Sequence, residues 1–198
     1  MAMTLQSAEQ LIDQLQQAHR ISVAFYRRIL PTLDHIASEL NCDFVSWEPL
    51  HSSMPPRRTS KPSATWAWDY VPLFASNHVY SRTDGEFAHP SDVGLYLCLY
   101  VDKGFAPDER KKQGFSGEPD AVNLPIGKAV LQAWIYRPIS ASETSFDDLW
   151  SSAADPELGV GHVQQVADNV NAIAFEWSLA DIIRDTRPML ETLKLYTA

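Results

Sequence analysis

The chain holds only two cysteines, Cys42 and Cys98, too few and too far apart for a disulfide framework. Cys98 sits inside the apolar run from Leu95 to Val101 and reads as a buried free thiol. Basic residues are also scarce. Sixteen Lys and Arg stand against 25 Asp and Glu, a formal charge of -9, which argues against a phosphate-neutralising surface and so against nucleic acid as the partner. No window approaches ~18 uninterrupted apolar residues, so no membrane span is expected. The opening Met-Ala-Met-Thr-Leu-Gln-Ser lacks the basic flank and apolar core of a secretory signal. A reducing, cytoplasmic home follows as the expectation.

Chemical motifs are equally thin. The six histidines, His19, His35, His51, His78, His89 and His162, are scattered, with no pair at the spacing that puts two ligands on one face of a helix or strand. Glu86 and His89 have the Glu-x-x-His form, but in a single copy beside a glycine and a proline. Gly159 with Gly161 lacks the third glycine and the strand-to-helix setting of a phosphate loop. Ser76, His78 and Asp84 lie close in sequence without the spacing of a nucleophile elbow. No metal, no cofactor and no catalytic residue is therefore expected.

What is present is periodicity. Ser7 followed by Gln10 fits a capping box, which starts a helix at Ala8. Leu11, Leu15, Ala18, Ser22, Phe25 and Ile29 then recur at spacings of three and four, as one buried stripe would. Pro31 removes an amide and predicts a kink or a break. Leu33, Ile36, Ala37 and Leu40 resume the stripe, and Asn41 is the natural stop. A coiled coil is disfavoured by too few regular heptads and by the want of opposed charges beside the stripe.

Strands are predicted over residues 42–48, 64–80, 92–102, 128–137 and 170–177. The first carries Phe44 on one side and Val45 and Trp47 nearer the other. Residues 92–102 show the clearest alternation: Leu95, Leu97, Leu99 and Val101 against Tyr96, Cys98 and Tyr100. Leu131, Ala133 and Ile135 against Trp134 and Tyr136 repeat it. Ser145 and Asp148 suggest a short helix within 140–161, and Val163, Val166 and Val170 also suit a helix ahead of the last strand. A closing helix starts near Ser178, bent or restarted at Pro188. Residues 103–125 read as loop. Residues 50–63, rich in proline and carrying Arg57, Arg58 and Lys61, read as a mobile loop with a minor role in contacts.

Together these elements predict a single α+β domain over residues 1–198, in which a kinked N-terminal helix and a C-terminal helix pack on one face of a roughly five-stranded antiparallel sheet. The helices bury the aliphatic side, including Ala67, Val71 and Leu73. Trp66, Trp68, Tyr70, Tyr96, Tyr100, Trp134 and Tyr136 then gather on the other. Each such ring can bury roughly 150 to 250 Å², and a soluble monomer seldom bares an apolar patch beyond roughly 300 to 600 Å², so the aromatic face needs a cover. The chain's own long loops, a second copy, a small ligand and another protein are the four candidates. The sequence favours a non-enzymatic protein-binding factor, an acidic inhibitor, adaptor or accessory protein using these aromatics. The alternative is a small-molecule-binding domain or enzyme with an aromatic-floored pocket, where His78, Asp69 and Arg82 are the nearest polar groups.

Overall fold

A computed structural model describes residues 3–52, 61, 74–114 and 123–198. Trp66, Trp68, Tyr70, Ala67, Val71, Leu73, Asp69, Arg57 and Arg58 lie outside the described residues, and Lys61 is exposed. Two compact units are present, Met1–His35 and Ile36–Ala198.

The first unit is the body of helix α1, Leu5–Glu39. Its start lies one turn earlier than the capping box at Ser7 implied. Thr4 Oγ1 accepts from the Ser7 amide at 3.2 Å and meets the Ser7 hydroxyl at 2.8 Å, so Thr4 supplies the oxygen that an orphan first-turn donor needs. Pro31 lies inside α1, which runs through it as a single helix. A proline removes one hydrogen bond; at the very next residue the Thr32 hydroxyl adds a bond to the Arg28 carbonyl at 2.9 Å. The expected stripe is buried only in its later part. Ile29 and Leu33 are buried, whereas Leu11, Leu15 and Ala18 are exposed, so the amphipathic pattern does not by itself put the earlier turns in the core.

In the second unit α1 ends where Asn41 adopts a positive φ of 55°, and the Cys42 amide reaches back to the Ala37 carbonyl at 3.0 Å. Asparagine tolerates this left-handed stop. Among the described residues six strands follow: β1 (Asp43–Pro49), β2 (Ala75–Arg82), β3 (Val93–Tyr100), β4 (Val130–Pro138), β5 (Gln164–Ala167) and β6 (Val170–Ser178). They form one antiparallel sheet in the order β1-β2-β3-β4-β6-β5. The strand β5, where a helix also suited the valines, pairs with β6 through the short turn at Asp168 and Asn169. Within residues 103–114 a 3-10 turn, Lys103–Phe105, and a helix α2, Pro107–Lys112, stand where plain loop was expected; Pro107 opens α2, where its missing amide costs nothing.

Over β3 and β4 one face of the sheet is aliphatic, flanked by Ser76, His78 and Tyr80 of β2 and Phe175 and Trp177 of β6. Leu95, Leu97, Leu99, Leu131, Ala133, Ile135 and Ile173 are all but inaccessible. Helices α4 (Leu179–Arg184) and α5 (Arg187–Thr197) contribute buried Leu179, Ile182, Met189, Leu190 and Leu193, and Tyr196 of α5 packs on Phe175 of β6 at 5.3 Å. Two arginines fasten the end of α5. Arg82 donates to the carbonyls of Leu40, Ser91 and Thr197, and Arg137 to those of Pro90, Tyr196 and Ala198. Lys194 and Glu39 add an ion pair at 2.8 Å.

Candidate functional site

The second face begins with the aromatics. Cross-strand register places Tyr96 opposite Trp134, with Tyr136 one step along β4 on the same side. Helix α3, Phe146–Ser151, lies over them. Ser145 caps it, accepting from the Asp148 amide at 3.1 Å while its hydroxyl donates to the Asp148 carboxylate at 2.8 Å. Phe146 and Trp150, four residues apart, share the inner face of the helix. The Trp150 ring stands 4.9 Å from Tyr96, 5.8 Å from Tyr136 and 5.6 Å from Phe146. Gly94 makes this possible, because a Cβ there would sit 2.6 Å from the Trp150 ring.

Tyr136 is fully buried, and its hydroxyl donates to Asp155 at 3.2 Å. Burial first, and the neighbouring Asp155 carboxylate second, push the phenol well above its ordinary range. Tyr96, Trp134 and Tyr136 are thus packed beneath a segment of their own chain, the first of the four covers considered. Tyr100 belongs elsewhere. It stacks near His51 at 6.1 Å, its hydroxyl meets His51 Nε2 at 3.4 Å, and Lys103 Nζ lies 5.5 Å from its ring. Of the seven aromatics proposed from sequence, the four that are described fall in two groups on this face: Tyr96, Trp134 and Tyr136 beneath α3, and Tyr100 beside His51.

Of the described polar groups singled out in the sequence, Ser76 and His78 are brought together, and Asp84 and Arg82 are engaged elsewhere. Ser76 Oγ and His78 Nε2 are 3.0 Å apart and both buried on β2. Asp84, the possible third member, instead accepts from the Ser91 hydroxyl at 2.6 Å in the turn before β3. Arg82 is spent on backbone carbonyls, as described. Among the described residues no group of three or more His, Cys, Asp or Glu is placed to hold a metal ion. Both cysteines are free and buried; burial pushes Cys98 up to about 12 and Cys42 up to about 11, so neither thiol is activated.

At the far end of the same face a groove of about 310 Å³ opens between Lys103, Glu109, Gln113, Lys128 and Glu176. Its backbone closes tightly: Gly104 and Gly127 approach so closely that neither could carry a side chain, and both amides donate to Asp102 Oδ1, at 2.8 and 2.7 Å. Glu176 accepts from Gln132 at 2.8 Å and from Lys103 at 3.1 Å. Burial alone raises its carboxyl, but those two hydrogen bonds and the lysine charges outweigh it and hold the group below the usual carboxylate range. Several of the groove's polar groups thus satisfy one another.

The third region is β1, which is an edge strand among the described residues. Six of its seven residues are exposed, and Phe44, Val45 and Trp47 keep between 48% and 55% of their surface in solvent. A β-bulge at Val45 shifts the register between Phe44 and Ser46. That extra residue restores Phe44 and Trp47 to the same face, opposite Tyr80 and His78 respectively, where simple alternation had put them on opposite sides. The Phe44 ring meets Tyr80 edge-on at 5.7 Å, and the Trp47 ring lies over His78 at 6.5 Å. Exposed, aromatic and anchored, this patch had no separate signal in the sequence, because period-2 patterning does not tell an edge strand from a central one.

No curated protein and no solved structure matches the chain. A model of the family PM0109 matches residues 6–194, nearly the full length, and the chain belongs to that family.

Proposed function

We propose that this chain is a non-enzymatic protein-binding factor, acting as an inhibitor or accessory protein, whose contact surface is the β1 edge. The observation that carries the reading is the joint exposure of Phe44, Val45 and Trp47 on a strand that, among the described residues, pairs on one side only. Their neighbours Tyr80 and His78 restrain the Phe44 and Trp47 rings, so little rotamer freedom remains to be lost on docking. The bulge at Val45 interrupts the hydrogen-bonding edge, which favours contact through side chains over addition of a long strand. Asp43 and Glu48 bracket the patch within a chain of net charge -9, a setting that suits an apolar partner surface with a basic rim.

The experiment is capture from a host lysate followed by binding measurements with the captured protein. Phe44→Ala and Trp47→Ala are each expected to weaken binding by more than about 1 kcal/mol, while costing no more than about 1.5 kcal/mol of stability through the lost ring contacts. Lys128→Ala in the groove is expected to leave binding intact. A partner that releases with Lys128→Ala, yet ignores both β1 replacements, would move the function to the groove.

A further inference from the structure

The first five turns of α1 contribute little apolar burial. Leu5, Leu11, Ile12, Leu15, Ile21 and Val23 are each at least half exposed, although helices draw most of their stability from packing an amphipathic face. The stripe through Leu11, Leu15, Ala18 and Ser22 leads, at the same spacing, to the buried Ile29 and Leu33. It is therefore the continuation of a stripe whose later residues are buried.

The bare face is broader than that stripe. Leu5, Ile12 and Val23 widen it on one side, and Glu9 and Arg27 border that side, with Asp13 and Arg20 just beyond them. These charges are segregated along the axis. Residues 5–16 hold Glu9 and Asp13 and no Lys or Arg, whereas residues 17–28 hold Arg20, Arg27 and Arg28 and no Asp or Glu. A parallel pairing of two such helices sets acid on acid and base on base. An antiparallel pairing about a two-fold axis near Ala18 brings Glu9 alongside Arg27 of the other copy, and Asp13 near its Arg20, each contact occurring twice by symmetry. The small Ala18 at the crossing lets the helices come together.

We propose that residues 5–28 of α1 are the docking surface for a second copy of this chain, paired antiparallel around Ala18. This interface is independent of the β1 edge.

Sedimentation of the full chain between about 1 and 100 μM tests it. A concentration-dependent dimer is expected, weakened at least about tenfold by Leu15→Lys, with a melting temperature equal to wild type at concentrations where both are monomeric. Glu9→Arg weakens the dimer, and Glu9→Arg combined with Arg27→Glu restores it. Because Cys42 and Cys98 are buried, a single introduced thiol reports register. Ala18→Cys is expected to form a disulfide-linked dimer on mild oxidation, and Leu11→Cys is not, since two copies of position 11 would stand about 21 Å apart along the axis. A monomer throughout the range, a dimer indifferent to Leu15→Lys, a charge swap that fails to rescue, or crosslinking through Leu11→Cys in place of Ala18→Cys would each overturn the proposal.

Discussion

The two faces of the sheet are covered in different ways. On the aliphatic face, seven Leu, Ile and Ala side chains from three adjacent strands lie beneath long-range elements, and two arginines fasten the last of these to backbone carbonyls. On the other face, a helix of only six residues closes one end through Phe146 and Trp150, and a polar groove opens at the other end. The contrast shows that area per residue can replace length of cover. Two aromatic side chains, meeting three more on the strands, do locally what α4 and α5 do with five aliphatic and Met side chains.

The largest effect expected follows from that equivalence. Trp150→Ala is expected to cost about 3 to 5 kcal/mol in denaturant unfolding, comparable to or above the roughly 2 to 5 kcal/mol for Leu97→Ala on the opposite face. A loss for Trp150→Ala well under 1 kcal/mol, with Leu97→Ala in the expected range, would mean that α3 is a loosely attached flap and that the two faces are unequal.

A smaller effect probes the fit beneath α3. Gly94→Ala would drive a methyl to within 2.6 Å of the Trp150 ring, and overpacking of this kind costs about 1 to 3 kcal/mol. In the Trp150→Ala background the same methyl enters vacated space, so the penalty is expected to vanish. A double-mutant cycle on unfolding free energies reads this coupling directly; additive losses would show that Gly94 is required for some other reason.

These contacts also explain which parts of the molecule were legible in the sequence. Alternation through Leu95, Leu97 and Leu99 and through Leu131, Ala133 and Ile135 located β3 and β4 and assigned their inner face, because a one-residue slip would expose every leucine. Ser145 announced α3, and Pro188 the restart at α5, through local chemistry that needs no tertiary partner. Long-range choices were not legible. Nothing in Trp150 states that it will lie on Gly94, 56 positions earlier in the chain, so the cover over Tyr96, Trp134 and Tyr136 could be named only as one candidate among four. The bulge at Val45 likewise escaped, since it exists only relative to the register of β2. The stripe on α1 was legible as a pattern, but periodicity is the same whether a face meets its own chain, a second copy or water.

The smallest effect concerns the open end of the second face, where polar contacts replace packing. Glu176 has its pKa held below the unfolded value by Gln132 and Lys103, against the upward push of burial. A group depressed on folding contributes stability that is fully present above its unfolded pKa, roughly 4.3, and that is lost as pH falls through the lower folded value. Acidification from about pH 5 toward pH 3 should therefore weaken this corner of the sheet. Because about a third of the Glu176 side chain remains in solvent, the contribution is expected to be no more than about 1 kcal/mol. Chemical denaturation of wild type and Glu176→Gln across that range isolates it: the variant is less stable near neutrality by this small amount, and the two curves converge in acid. If they instead run parallel down to pH 3, the Lys103 and Gln132 contacts contribute nothing that depends on the charge of Glu176, and the groove is held by the Asp102 clasp on Gly104 and Gly127 alone.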